Sequence, residues 1–119
     1  MNLLYKSTRD AEKTVTASQA ILKGLADDGG LFVPVSIPKL PVSLGELKEM
    51  TYQEIAYTVM KEFLTDFTEE ELKSCIAKAY DSKFDTEEIA PLAKVEDAYY
   101  LELFHGCLLY TSDAADDKA

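Results

Sequence analysis

Four capping-box patterns mark the points where helices of this chain can begin. In each, a serine or threonine stands three residues before a glutamate or glutamine, so that each side chain can bond the backbone N–H of the other residue. The four pairs are Thr16 and Gln19, Ser43 and Glu46, Thr51 and Glu54, and Thr68 and Glu71. They predict helix starts spread over the first 70 residues, with other structure between them.

Apolar stripes follow the last two capping boxes. After Thr51, apolar residues recur at helical spacing on one face, at Tyr52, Ile55, Ala56, Val59, Met60 and Phe63. After Thr68, Leu72, Ile76 and Tyr80 face inward, while the outward positions are Glu69, Glu70, Lys73 and Lys78. Such stripes are typical of helices that pack against a core, so we interpret both as core and not as binding surface.

The helix after Thr16 is expected to be shorter. Its apolar face holds Ala17, Ala20, Ile21, Gly24 and Leu25. Asp27-Asp28-Gly29-Gly30 then ends the helix, because paired glycines permit the positive φ angles of a tight turn.

Short strands are predicted near both ends of the chain. They are Leu3 to Ser7, Leu31 to Val33 (ended by Pro34), and Tyr99 to Phe104. Pro34, Pro38 and Pro41 favour an extended segment between them, and Thr86 to Ile89 is predicted to start one short turn before Pro91. The fold class predicted is therefore a small α+β unit.

The charge balance excludes two classes of partner. Acidic residues outnumber basic ones 22 to 12, a formal charge of −10, which repels phosphodiester backbones and anionic membranes. No apolar run approaches the roughly 20 residues of a membrane span, and the first residues lack the pattern of a signal peptide. We expect no nucleic acid, no membrane and a cytoplasmic location.

The two cysteines do not form a disulfide framework. Cys75 lies in a predicted helix, where a small buried thiol is the expected state. Cys107 lies in a C-terminal segment of different character.

Two longer segments resemble the N-terminal part of threonine synthase. The first runs from Tyr5-Lys6-Ser7-Thr8-Arg9 through Gln19-Ala20-Ile21 to Asp28-Gly29-Gly30-Leu31-Phe32-Val33-Pro34. The second is Tyr100-Leu101-Glu102-Leu103-Phe104-His105-Gly106. Their order and separation carry the resemblance, which covers residues 3 to 106.

The resemblance implies a pyridoxal-phosphate enzyme of threonine biosynthesis. Such an enzyme converts O-phospho-L-homoserine and water to L-threonine and phosphate, with the cofactor held by a lysine and acting as electron sink. In the family, His-Gly continues as Pro-Thr-Xaa-Ala-Phe-Lys-Asp, which would place that lysine at position 112. This chain has Ser112, whose hydroxyl cannot form a Schiff base. The resemblance therefore predicts no catalytic residue and no bound pyridoxal phosphate in this chain.

The residues from Cys107 to Asp116 resemble a translated sequencing adapter of the transposase type. Cys-Leu-Leu-Tyr-Thr-Ser-Asp-Ala-Ala-Asp matches one reading frame of that adapter over ten residues. The alternative interpretation is that these residues are the divergent C-terminus of a pseudo-enzyme. Without the tail, 19 acidic and 11 basic residues remain, a charge of −8. We expect three parts: an N-terminal domain over 1–90, the start of the cofactor domain over 91–106, and a non-native tail over 107–119.

Eight residues are candidates for places near the active site. Ser7, Thr8 and Arg9 could recognise phosphate, since a guanidinium pairs bidentately with it, but a structural role between strand and helix is preferred. Asp28, Gly29 and Gly30 are either a helix stop or a loop near the substrate entrance. The resemblance implies that His105 shapes the turn leading to the lysine, and Gly106 permits close backbone approach.

Two functions compete at this point. One is an inactive N-terminal fragment of threonine synthase, whose partner is the missing cofactor domain of the same polypeptide and whose apolar face around Tyr99 to Phe104 should be uncovered. The other is a stand-alone acidic helical binding module with no such exposed patch.

Overall fold

A computed structural model describes residues 2–106, and it confirms the α+β class. The chain divides into two compact units, with the border between Ile76 and Ala77. The boundary predicted between residues 90 and 91 stays a prediction, and the tail from Cys107 onward lies outside the described residues.

A three-stranded antiparallel sheet organises the first unit. Strand β1 (Tyr5–Ser7) lies between β2 (Thr14–Val15) and β3 (Phe32–Pro34). Tyr5 pairs with Val15 on one side and Pro34 on the other. Strand β3 ends at Pro34, as predicted, and proline is tolerated as its last residue because β3 is an edge strand. Strand β2 was not predicted, because two residues carry no alternating pattern.

Helix α1 (Ala17–Lys23) begins with the capping box predicted for Thr16. It ends earlier than predicted. Gly24 is the C-cap with φ of 78°, and its N–H bonds to Ala20 O at 2.9 Å. The first glycine that could take a positive φ therefore ends the helix, and Leu25 lies beyond it, bridged to Leu31.

The other three capping boxes are also confirmed. They open α2 (Leu44–Lys48), α3 (Tyr52–Phe63) and α4 (Glu69–Ala79). At α4, Thr68 N–H donates to Glu71 Oε2 at 2.8 Å, and Glu71 N–H donates to Thr68 Oγ1 at 3.2 Å.

The buried apolar core of the described chain is small. It holds Ala17, Ala20, Leu72 and Ile76. The inward stripe of α4 is thus confirmed at Leu72 and Ile76, whereas the stripe of α3 is only half-buried and its Tyr52 is exposed.

The prediction of a buried thiol at Cys75 is wrong, because the residue is exposed. It stands one position before Ile76, and successive helical residues point about 100° apart. Cys75 therefore lies beside the helix face that buries Leu72 and Ile76, and it is exposed to solvent.

The second unit contains a hairpin of β4 (Leu92–Val95) and β5 (Ala98–Leu101). Strand β5 ends three residues earlier than predicted. Its last residue, Leu101, pairs with Leu92, and the residue before Leu92 is Pro91, which has no N–H to continue the ladder. Strand β4 was not predicted. No helical turn forms over Thr86 to Ile89, which bends instead, with the Thr86 hydroxyl donating to Glu88 O.

Within residues 2–106, every helix is too short or too polar to cross a membrane. The cytoplasmic location stays a prediction.

Candidate functional site

The end of β1 and the turn before β3 meet at the carboxylate of Asp28. The Ser7 hydroxyl donates to Asp28 Oδ1 at 2.7 Å, and Gly30 N–H donates to the same atom at 2.8 Å. Ser7 is buried, with 7% of its surface exposed. Two sequence segments considered separately thus form one cluster, which we call the Ser7–Gly30 cluster: residues 7–9 and 28–30.

Arg9 closes the same cluster from outside. Its Nη1 donates to the carbonyl oxygen of Asp28 at 2.8 Å, and its backbone N–H donates to Ser7 Oγ at 3.1 Å. Thr8 pairs with Leu31 through two hydrogen bonds, of 2.8 Å from its N–H and 3.1 Å to its Oγ1. These bonds support the structural role preferred for residues 7–9, and phosphate recognition stays a prediction.

Glycine is required at two positions of the cluster. Gly29 has a φ of 82°, and a Cβ there would lie 2.9 Å from Arg9 Nη1. A Cβ on Gly30 would lie 2.1 Å from Ser7 Oγ. The backbone therefore approaches the Ser7 and Arg9 side chains more closely than any side chain would allow.

The hydrogen bonds favour the ionised form of Asp28. The Ser7 hydroxyl, followed by the N–H of Gly30, lowers the pKa of this carboxyl below its ordinary value. Since the charged form accepts these bonds, the cluster is held together best while Asp28 is deprotonated.

A small cavity of about 150 Å³ adjoins the cluster. Its lining residues are Ser7, Asp10, Lys13, Val15, Lys23, Ala26, Asp27, Asp28 and Phe32. The volume is below the roughly 300 Å³ at which small-molecule sites begin, and Lys23 is already paired with Asp27 at 2.7 Å. The cavity therefore offers room for a small group only, between charges of both signs.

His105 and Gly106 lie in the second unit. His105 Nδ1 is 2.5 Å from Asp85 Oδ1, and Nε2 is 2.9 Å from Glu102 Oε1. The Glu102 carboxylate, with Asp85 adding to it, raises the pKa of His105 above its ordinary value, although burial opposes the rise.

Gly106 packs directly against the ring of Phe84. A Cβ at this position would lie 1.8 Å from Phe84 Cε1. The close backbone approach expected at Gly106 is therefore present, with an aromatic ring as the neighbouring group.

Two residues around His105, Asp85 and Glu102, were not among the predicted site residues. Glu102 stands three residues before His105 and inside the family motif, which is a signal that could have singled it out. Asp85 carries no signal of this kind, since only the folded chain brings it to His105.

The chain offers no suitable lysine for a cofactor within the described residues. Every lysine in 2–106 is exposed or half-exposed, whereas a lysine that holds a cofactor needs an enclosed place. Position 112, where the resemblance expects that lysine, is Ser112 and lies outside the described residues. Groups of three or more potential metal ligands are absent from 2–106 as well.

Comparisons with known proteins agree on one family. A family model described as the N terminus of threonine synthase matches residues 4–80. Threonine synthase of Eremothecium gossypii is 36% identical over 125 aligned positions, covering 97% of this chain and 24% of that protein. The chain therefore spans about a quarter of the length of the curated relatives it matches.

Solved structures give the same result. The crystal structure of threonine synthase from yeast has a TM-score of 0.73 at 32% identity, covering 88% of this chain and 22% of that one. The pyridoxal-phosphate-bound threonine synthase from Brucella melitensis also has a TM-score of 0.73, at 29% identity, covering 88% and 23%.

Proposed function

This chain belongs to the threonine synthase family through that family's N-terminal domain, and on that premise we propose that it is the N-terminal part of an enzyme that makes threonine. The enzyme would convert O-phospho-L-homoserine and water to L-threonine and phosphate with pyridoxal phosphate. By itself this part would be inactive.

The observation that carries the proposal is the family match over residues 4–80. The motif Leu101 to Gly106 follows that match and supports continuation toward a cofactor site. Pyridoxal phosphate is bound in the Brucella melitensis relative, which supports its use by the full-length enzyme.

The residues of this chain do not fit the cofactor. Ser112 replaces the expected lysine, and the lysines of residues 2–106 are not enclosed. The candidate residues are instead assigned to support: the Ser7–Gly30 cluster shapes a loop by the substrate entrance, and His105 with Gly106 shapes the turn toward the lysine.

An exposed apolar surface at the β4–β5 hairpin supports the interpretation that the chain is a fragment. It is formed by Leu92, Val95, Tyr99, Tyr100 and Leu101 of the two strands and by Leu103 and Phe104, which follow β5; each is 56–72% exposed. Successive residues of a strand point to opposite faces, so these side chains leave apolar surface open on both faces of the hairpin, and large exposed apolar areas mark interaction sites. This surface favours a fragment whose cofactor domain is missing over the stand-alone binding module, which was expected to have no such patch.

The purified chain tests the claim of inactivity. We expect neither the absorption of lysine-bound pyridoxal phosphate nor release of phosphate from O-phospho-L-homoserine. We also expect a dye that fluoresces on apolar surfaces to bind, and to bind less when Tyr100 and Leu101 are both replaced by serine. Phosphate release by the pure chain would contradict the proposal.

The parent gene tests the family function itself. Downstream of Gly106 it should encode Pro-Thr and then Phe-Lys-Asp, and the protein expressed from that gene should release phosphate from O-phospho-L-homoserine. Replacing the restored lysine by alanine should abolish the reaction. Independently cloned genomic DNA that instead encodes Cys107 to Asp116 would show that the tail is native, contrary to our proposal of an adapter sequence.

A further inference from the structure

The imidazole of His105 lies between two carboxylates from different parts of the second unit. Glu102 directly follows β5, while Asp85 belongs to the segment between α4 and β4. The His105 side chain is 14% exposed, and those of Asp85 and Glu102 are 68% and 30% exposed. Both ring nitrogens are within hydrogen-bond distance of a carboxylate oxygen.

Only the charged imidazole satisfies both contacts. A neutral imidazole has one N–H and one lone pair, so one of its nitrogens would face a carboxylate oxygen without a proton between them. An imidazolium donates from both nitrogens, and hydrogen bonds between ionised groups are about twice as strong as neutral ones. While both carboxyls are ionised, the two contacts are therefore both hydrogen bonds only when each ring nitrogen carries a proton.

Backbone contacts join the same two segments. Asp85 N–H donates to the carbonyl oxygen of His105 at 3.1 Å, and the Phe84 ring packs on Gly106. Residues 84–85 are therefore joined to 105–106 by a side-chain bridge, a backbone hydrogen bond and a ring contact. Together these contacts set the direction in which the chain leaves β5.

We infer that Asp85 and Glu102 are positioning residues, which hold His105 as a doubly donating cation and thereby fix the chain at Gly106, from which the full-length enzyme would continue toward its cofactor lysine. This assignment rests on the proposed function for the lysine, but the bridge itself does not. Asp85 and Glu102 are the charged groups that face His105 in the described chain.

The bridge has a defined dependence on pH. The folded-state pKa of His105 is raised, so its stabilising contribution is complete below the ordinary histidine value of about 6.5. It is lost as the pH rises through the higher folded-state pKa. Above that pH, the imidazole has lost the proton from one ring nitrogen, so one of its two hydrogen bonds to a carboxylate is lost and Gly106 is held less firmly.

The lone histidine makes the test direct. In the 119-residue chain, NMR signals of the single imidazole should give a pKa above about 6.5 in the folded state, returning toward that value in urea. The nitrogen shifts near neutral pH should show both ring nitrogens protonated. A folded-state pKa at or below the ordinary value, or a single protonated nitrogen, would overturn the inference without any variant.

Variants identify the partners. Glu102→Gln and Asp85→Asn should each lower the His105 pKa, while Glu87→Gln removes a charge from the same segment at an exposed residue and should leave it unchanged. If the His105 pKa fell by the same amount in all three variants, the effect would come from the overall charge and would contradict the bridge.

A separate signal tests positioning. The nuclear Overhauser effect between the Phe84 ring and the α-protons of Gly106 should weaken in Glu102→Gln and Asp85→Asn, and in the unaltered chain as His105 loses its proton. An effect that stays constant while the pKa changes would refute the positioning role. Inactivity of the enzyme restored from the parent gene would refute the proposed function and leave these titrations unaffected.

Discussion

Ser7 and Asp28, which are 21 residues apart in the sequence, are joined by a hydrogen bond of 2.7 Å from hydroxyl to carboxylate. The bond connects the central strand of the sheet to the turn that leads into β3. Because Ser7 Oγ also accepts from Arg9 N–H, one buried hydroxyl holds both sides of the cluster.

Ser7→Ala should therefore destabilise the first unit. It leaves Arg9 N–H without its acceptor and removes one of the two donors to Asp28 Oδ1, at a cost of about 1–2 kcal/mol in the free energy of unfolding. Urea denaturation measures the change. Ser36→Ala, at an exposed serine, is the matched control and should have little effect; equal stability of both variants would contradict the role of the hydroxyl.

Alanine at two glycines should give effects of opposite sign. At Gly30 the new Cβ would lie 2.1 Å from Ser7 Oγ, and relieving that clash by rotating Ser7 breaks its bond to Asp28. We expect a loss of about 1–3 kcal/mol, as for other overpacked sites. At Gly45, inside α2, the nearest side-chain atom is 3.8 Å away, so alanine should gain about 0.5–1 kcal/mol. Thermal unfolding of both variants checks the contrast, which fails if Gly30→Ala is neutral.

Asp66 should govern part of the acid sensitivity. Its Oδ2 accepts from Ser18 N–H at 3.1 Å and from the Ser18 hydroxyl, at the start of α1. Burial favours the neutral form, but the bonds from Ser18 outweigh it and lower the pKa of Asp66. The stabilising contribution is therefore complete above about pH 3.9 and is lost as the pH falls through the lower folded-state value.

Asp66→Asn should accordingly be less stable than the unaltered chain near pH 7. On acidification the variant should lose less stability than the unaltered chain does. Unfolding midpoints between about pH 5 and pH 2 measure the difference. Asp97→Asn, at the exposed hairpin turn, should follow the unaltered chain. Parallel curves for Asp66→Asn and the unaltered chain would exclude a special role for Asp66.

Tyr5→Phe should cost about 1 kcal/mol, because it removes a hydrogen bond while keeping the ring. The hydroxyl donates to Phe63 O at 2.7 Å and so joins β1 to the last residue of α3. Burial, and then the charge of Asp66, raise the pKa of Tyr5, so its contribution is present below about pH 10 and is lost as the pH rises further. Tyr99→Phe changes an exposed tyrosine and serves as the control in chemical denaturation; equal losses would contradict the prediction.

The features predicted from sequence are those whose causes lie within four residues. A capping box contains both of its partners, which is why the helix starts at Thr16, Ser43, Thr51 and Thr68 are all correct. The helix ends are harder to predict. Gly24 and Gly29 both adopt positive φ, and the sequence alone does not tell which of them ends α1, whereas in the structure it is Gly24.

Features that depend on distant partners were missed. Strands β2 and β4 are defined by what they pair with, and Asp85 reaches His105 across 20 residues. Ser7 to Arg9 and Asp28 to Gly30 were identified as separate candidates, but periodicity contains no information on their meeting. The family resemblance supplied the significance of His105 and Gly106, while the identity of their neighbours required the fold.

The hairpin of β4 and β5 has a consequence for handling the protein. In the described chain it is a sheet of two strands, so each strand keeps one row of backbone N–H and C=O groups without a neighbouring strand. Such open edges, next to exposed Tyr100 and Leu101, are templates for strand pairing between molecules. The protein should therefore self-associate as its concentration rises, and dilution will determine how long it persists as separate molecules.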